Sequence, residues 1–178
     1  VYRLRCVEAW SIVVPWVGFP MAKIVEWCKP TSRAKFVHMV SFDRPSEAPG
    51  QREHNWYPWP YFEGLRLDEA TNELALIGLG SYGKVLPNQN GAPIRVLTPW
   101  KYGYKSIKSI TAFEFTNKQP PTFWNRVVPS EYDFLSNVNP AKPHPRWSQA
   151  TEEDLNTRRR IPTLPFNGYA EYVAHLYK

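Results

Sequence analysis

Two cysteines, two methionines and four histidines are all the sulfur and imidazole that this 178-residue chain carries. Cys6 and Cys28 cannot make a disulfide framework. His38, His54, His144 and His175 lack the spacing of a zinc site. Long apolar runs are missing too. Trp10 to Met21 is apolar, but Pro15 and Pro20 interrupt it, and it falls short of the about 18 residues a membrane-spanning helix needs. There is no GxGxxG pattern and no Walker A loop, and Gly80-Ser81-Tyr82-Gly83 reads as a turn, not a nucleophile elbow. No internal repeat and no signal peptide are visible. Disulfide-stapled, zinc-dependent, membrane-spanning and P-loop classes are thereby set aside.

Proline is abundant, at 18 residues, and so is tryptophan, at 8. So many prolines disfavour long helices and favour short strands joined by ordered loops. A hydrophobic share of 43% suffices for a core, and the length fits one domain over residues 1–178. The expected class is a β-rich α+β fold. A net charge of +6 suits nucleic acid, anionic lipid or an acidic partner. It serves simple solubility equally well, which is the reading favoured here, with no nucleic-acid partner. Lysines interleaved with aromatics in Trp100-Lys101-Tyr102-Gly103-Tyr104-Lys105 nevertheless imitate a nucleic-acid face.

Patterning predicts strands over 2–7, 35–42, 74–79, 94–97 and 107–115, with an extended apolar run over 10–17. A short amphipathic helix is expected from Pro20 to Cys28, with Cys28 packed. Arg44 to Pro60 reads as a Pro-rich loop and Leu67 to Thr71 as a helical turn. From Lys118 onward the chain reads as an irregular tail wrapping the domain.

Cys6 concentrates the candidate chemistry. On a strand running past it, Cys6 and Glu8 share one face and Arg5 takes the other. Nearby cations would lower the thiol pKa, and a thiolate so held is a ligand for a soft or high-valent metal. Spacing alone favours a different reading, a buried and inert cysteine.

The wider sequence changes that balance. Arg5-Cys6-Val7-Glu8-Ala9-Trp10-Ser11 through Val14-Pro15-Trp16-Val17-Gly18-Phe19-Pro20 resembles the catalytic subunit of the bacterial periplasmic protein-methionine-sulfoxide reductases, molybdoenzymes of the sulfite oxidase superfamily. The resemblance continues in order through Glu63-Gly64-Leu65-Arg66-Leu67-Asp68-Glu69-Ala70, Gln89-Asn90-Gly91-Ala92-Pro93-Ile94-Arg95, Lys105-Ser106-Ile107-Lys108-Ser109-Ile110, and His144-Pro145-Arg146-Trp147-Ser148-Gln149-Ala150. It implies the sulfite oxidase fold and a Mo-molybdopterin cofactor in its nucleotide-free form. Cys6 would be the one protein ligand to molybdenum, with Glu8 beside an equatorial oxygen ligand. Asn90 and Arg95 would contact the pterin, Gly91 and Pro93 shaping the turn between them. Ser106, Ile107 and Lys108 would hold the terminal phosphate through backbone N–H groups and an ammonium. Ser41 stands where the family usually has Thr and keeps a hydroxyl for the cofactor.

The implied activity is reduction of methionine sulfoxide in exported proteins by oxygen-atom transfer to the metal. The implied electron donor is a haem-containing membrane subunit, and the location is the periplasm. The family's front portion, with its twin-arginine export signal and the first residues of the cofactor pocket, has no counterpart here, so truncation at the N-terminus is expected. Arg44 to Pro60 and Glu152 to Arg160 match weakly. Aromatic residues Trp56, Tyr57, Trp59 and Tyr61 are candidates for a substrate mouth. One alternative is another oxo-transferase of the superfamily, acting on sulfite or small S- or N-oxides. Sulfite would call for arginines such as Arg5, Arg95 and Arg146 converging near the metal. The other alternative is a basic binding module without redox chemistry.

Overall fold

The computed structural model describes residues 1–178. Strands β1 (Tyr2–Cys6) and β2 (Trp10–Val14) form an antiparallel hairpin pairing Cys6 with Trp10. Val7 to Ala9 make its turn, with Ala9 at φ 62°. Pro15, which has no N–H for a ladder, separates β2 from β3 (Trp16–Pro20), and the two lie in different sheets. The extended run expected over 10–17 is therefore two strands. Helix α1 (Ala22–Cys28) ends where Lys29 turns left-handed, at φ 46°, and returns its N–H to the Val25 carbonyl. Cys28 is exposed there rather than packed. So short a helix reaches the core through little more than Ile24.

Strand β4 (Phe36–Ser41) alternates as a half-buried strand should, with Val37, Met39 and Ser41 inward. The expected loop that follows contains α2 (Pro49–Glu53), which begins at a proline. Next come β5 (Phe62–Arg66), α3 (Leu67–Ala70), β6 (Leu76–Ser81), β7 (Lys84–Val85) and β8 (Arg95–Leu97). Strand β9 (Ile110–Thr116) starts later than the sequence pattern suggested, because Ser109 sits in a turn at φ 52°. The remainder holds α4 (Phe123–Val127), β10 (Thr151–Asp154), β11 (Arg159–Pro162) and α5 (Ala170–Val173).

Three sheets result. One runs β1-β2-β10-β11, the second β3-β6-β7 with β8 on β6, and the third β5-β4-β9. Ile77 and Val96 from the second sheet meet Val37, Met39, Leu65 and Ile110 from the third in the main core, with Trp100 fully buried among them. The tail is irregular over residues 128–150, between α4 and β10; beyond it, β10 lies parallel to β2 and brings β11 with it.

Three cation–carboxylate pairs are sealed inside. Arg5 Nε lies 2.5 Å from Glu152, Lys101 Nζ 2.5 Å from Glu69, and Lys105 Nζ 2.6 Å from Glu63. Lys101 and Lys105 are thus core residues, and the segment that imitates a nucleic-acid face presents no charge to solvent. Burial by itself would raise the Glu152 carboxyl. Hydrogen bonds from Thr163, Ser11 and Arg5 outweigh it and hold the group below the usual carboxylate range. The fold therefore favours the ionised form more than the unfolded chain does. Its contribution is complete above the unfolded value of about 4.3 and fades as pH falls through the lower folded value. Glu152→Gln should cost about 3 kcal/mol at pH 7, since it strands a buried guanidinium. Thermal melts at a series of pH values should show that deficit shrinking below about pH 4.

Candidate functional site

All three sheets contribute to the walls of a cleft of about 940 Å³. β1 and β2 supply Cys6 and Trp10, β4 supplies Ser41, and β8 supplies Arg95; Ser106, Ile107 and Lys108 come from the segment before β9. Six of the eight residues singled out from sequence therefore meet in one place. Glu8 and Asn90 are absent from the wall.

Glu8 is exposed, in the turn beyond the end of β1. The alternation that would set it beside Cys6 stops one residue too early. Cys6 differs from expectation as well. Burial pushes its thiol up, and the amide hydrogen bonds from Glu8 and Val7 and the charge of Arg5 do not overcome that. Arg5 is a weak lever because its guanidinium is already paired with Glu152.

Asn90 offers its backbone rather than its side chain: its carbonyl accepts from Arg95 Nη1 at 3.0 Å. Gly91, at φ 112°, is required there. A Cβ would fall 3.0 Å from Lys108 Cβ and 3.1 Å from Arg95 Cβ. The neighbours Asn88 and Gln89 are the ones on the cleft wall.

Arg95 is 8% exposed, and no carboxylate pairs with it. Nη2 reaches the Ser106 carbonyl at 3.3 Å, the guanidinium lies 5.0 Å from the Trp16 ring centre, and Nε has no partner at all. Burial alone draws its pKa down to about 10. A buried cation without a counter-charge is costly unless an anion joins it.

The expected phosphate cradle needs correction. The amides of Ser106, Ile107 and Ser109 are committed to the carbonyls of Gly103, Lys105 and Gly91; the Lys108 amide alone of the four makes no bond within the chain. Ile107 contributes its side chain to the core. The Lys108 ammonium touches the Gln89 carbonyl at 2.9 Å, and desolvation and the charge of Arg95 lower its pKa. Ser41 donates its hydroxyl proton to the Ser109 carbonyl at 3.1 Å, leaving only lone pairs for a ligand.

No aspartate or glutamate lines the cleft, while two cations and a thiol do. Trp10, Trp59, Tyr61 and Trp124 add an apolar wall. This donor set fits an anionic, partly flat cofactor with a metal at the thiol end. Of the three arginines whose convergence was in question, only Arg95 faces the cleft. Arg5 is sealed behind β1, and Arg146 grips Glu131 through contacts of 3.0 and 3.1 Å at the surface. Trp124 was not foreseen, because nothing local to α4 signals that the tail returns to the cleft. Trp56 and Tyr57 lie off the wall.

A sequence profile of the oxidoreductase molybdopterin-binding domain matches residues 1–124. The protein-methionine-sulfoxide reductase catalytic subunit MsrP of Burkholderia mallei (strain ATCC 23344) is 55% identical over 182 aligned residues. That alignment covers 100% of this chain and 55% of the relative, so the chain spans about half the relative's length. The sulfane dehydrogenase SoxCD of Paracoccus pantotrophus superposes with a TM-score of 0.50 at 12% identity, over 66% of this chain and 31% of that one. At that identity the likeness bears on the fold alone, which is the β-rich molybdopterin-binding fold of sulfite oxidase type.

Proposed function

The chain belongs to the oxidoreductase molybdopterin-binding family, and from that premise we propose that residues 1–178 act as one cofactor-holding catalytic domain of a protein-methionine-sulfoxide reductase. The observation that carries the reading is the cleft itself: a thiol on one wall, an uncompensated buried guanidinium on another, and no carboxylate. Cys6 would ligate molybdenum. Arg95, the Lys108 ammonium and the free Lys108 amide would take the anionic part of a nucleotide-free molybdopterin. Ser41 would accept a hydrogen bond from it. When bound, the cofactor supplies two-electron oxygen-atom-transfer chemistry.

The remaining work falls to the protein. Trp10, Trp59, Tyr61 and Trp124 exclude water and offer apolar contact to a thioether-like side chain, whose sulfoxide carries little net charge. An aromatic chain leads outward from that wall. Trp59 and Tyr57 have ring centres 6.2 Å apart, and Tyr57 and Trp56 5.8 Å. Trp56 is 69% exposed. Such a ledge suits a sulfoxide presented on an unfolded polypeptide better than a closed pocket would. Glu8 stands outside the cleft and takes no direct part in this scheme. A haem-containing membrane subunit as electron donor and a periplasmic location complete the proposal; no helix here is long and apolar enough to cross a membrane. Sulfite oxidation is disfavoured because a single arginine, not several, faces the cleft.

The test is a comparison on the full-length, molybdenum-loaded enzyme with an artificial electron donor. Oxidised unfolded protein and free methionine sulfoxide should both be reduced, the protein faster per sulfoxide. Efficient sulfite oxidation with neither sulfoxide reduced would replace this reading with the sulfite alternative.

A further inference from the structure

Six cations of this fold lie over aromatic rings. Five of them, Arg5, Arg66, Lys101, Lys105 and Arg146, are also ion-paired with a carboxylate. Arg95 is the exception. Its guanidinium carbon lies 5.0 Å from the centre of the Trp16 ring, and no acid pairs with it. Trp16 opens β3 and Arg95 opens β8, and both strands pair with β6. Gly78 of β6 stands in register with Arg95, where a Cβ would fall 3.3 Å from Arg95 Cγ. The absent side chain leaves that space to the arginine stem. Arg95 lines the cleft and Trp16 does not.

A carboxylate beside Arg95 would cancel the charge that an anionic ligand needs and would repel that ligand. An aromatic face attracts the cation through its quadrupole and adds no net charge of its own. The rest of the guanidinium is tied down. Nη1 donates to the Asn90 carbonyl at 3.0 Å and Nη2 to the Ser106 carbonyl at 3.3 Å, while Nε has no partner. Trp16 Nε1 is likewise buried without a partner, so the indole contributes its face and not its N–H. We propose that Trp16 is a positioning residue for Arg95: its ring holds the guanidinium, still charged, in the orientation that meets the anionic part of the cofactor. The inference rests on the reading of Arg95 as a cofactor-binding residue, and its test separates the two.

The test follows release of pterin from the loaded full-length enzyme into excess buffer, read by the fluorescence of the oxidised pterin. Trp16→Leu keeps an apolar side chain and removes the π-face. The freed arginine must then be ordered again whenever cofactor binds, which weakens retention roughly three- to tenfold. Release should quicken by that factor. Trp16→Phe keeps the face and drops only an N–H that bonds nothing, so its release should stay close to the parental rate. A multiply fluorinated tryptophan placed at Trp16 alone keeps the shape and drains the negative face. It should behave as Trp16→Leu does, and it decides the matter if Trp16→Leu fails to fold. In an Arg95→Met background neither change should quicken release further, because the group that Trp16 acts through is gone. Parental release from the Trp16→Leu and fluorinated proteins would overturn the proposal. So would release from Trp16→Phe as fast as from Trp16→Leu, or an undiminished effect in the Arg95→Met background. If Arg95→Met by itself released pterin at the parental rate, the reading of Arg95 would fall, and this inference with it.

Discussion

Replacing Cys6 with alanine is expected to abolish sulfoxide reduction by the full-length enzyme while leaving part of the cofactor bound. The two halves of that result have separate causes. Cys6 is the one thiol on the cleft wall, since Cys28 is exposed at the end of α1, away from the cleft. Losing it removes the only soft donor available to the metal. The groups proposed to hold the cofactor's anionic part are untouched, because Arg95 and Lys108 belong to a different sheet and to the segment leading into β9. Activity with an artificial electron donor should fall to the assay background. Molybdenum and pterin measured per chain should fall less. Full activity in the variant would defeat the assignment of Cys6.

Arg95→Met should act with opposite emphasis on the two forms of the protein. Without cofactor, the guanidinium is a buried charge that has no carboxylate partner and an unpaired Nε, and its pKa is drawn down to about 10. Removing it relieves that desolvation and offsets much of the loss of its bonds to the Asn90 and Ser106 carbonyls. With cofactor, the same change removes a charge-assisted contact worth on the order of 1.5–3 kcal/mol, a ten- to hundredfold loss of affinity. The gain in melting temperature on cofactor loading should therefore collapse, while the cofactor-free melting temperature moves little. A variant that keeps the full cofactor-dependent gain would place Arg95 outside the binding site. Lysine is a poor substitute here, because the forked contacts to two carbonyls need a guanidinium.

Much of this was legible in the chain itself. The runs around Cys6, Asn90 to Arg95 and Ser106 to Lys108 identify the family, and β-branched, aromatic and continuous apolar content locates β4, β6 and β8. Local pattern was less reliable wherever a long-range contact decided the outcome. Strand β5 escaped notice because Glu63 and Gly64 dilute its β signature. Glu63 is tolerated only because Lys105 neutralises it from 42 positions further along the chain. The tail looked irregular because β10 and β11 have little apolar content; they become strands because β10 pairs with β2 and β11 with β10.

The amino-acid order by itself determined the family, the β-rich class and which thiol and cations are candidates for the site. Only the tertiary structure decided what those groups can do. It sealed Lys101 and Lys105 inside the core, bound Arg5 to Glu152, and left Arg95 without a counter-charge. It also ended β1 at Cys6, so that Glu8 lies in the turn beyond it and faces solvent. Residue types and local periodicity are written along the chain. Burial, charge pairing and the direction of a peptide plane depend on atoms brought together from distant positions, and those exist only once the chain has folded.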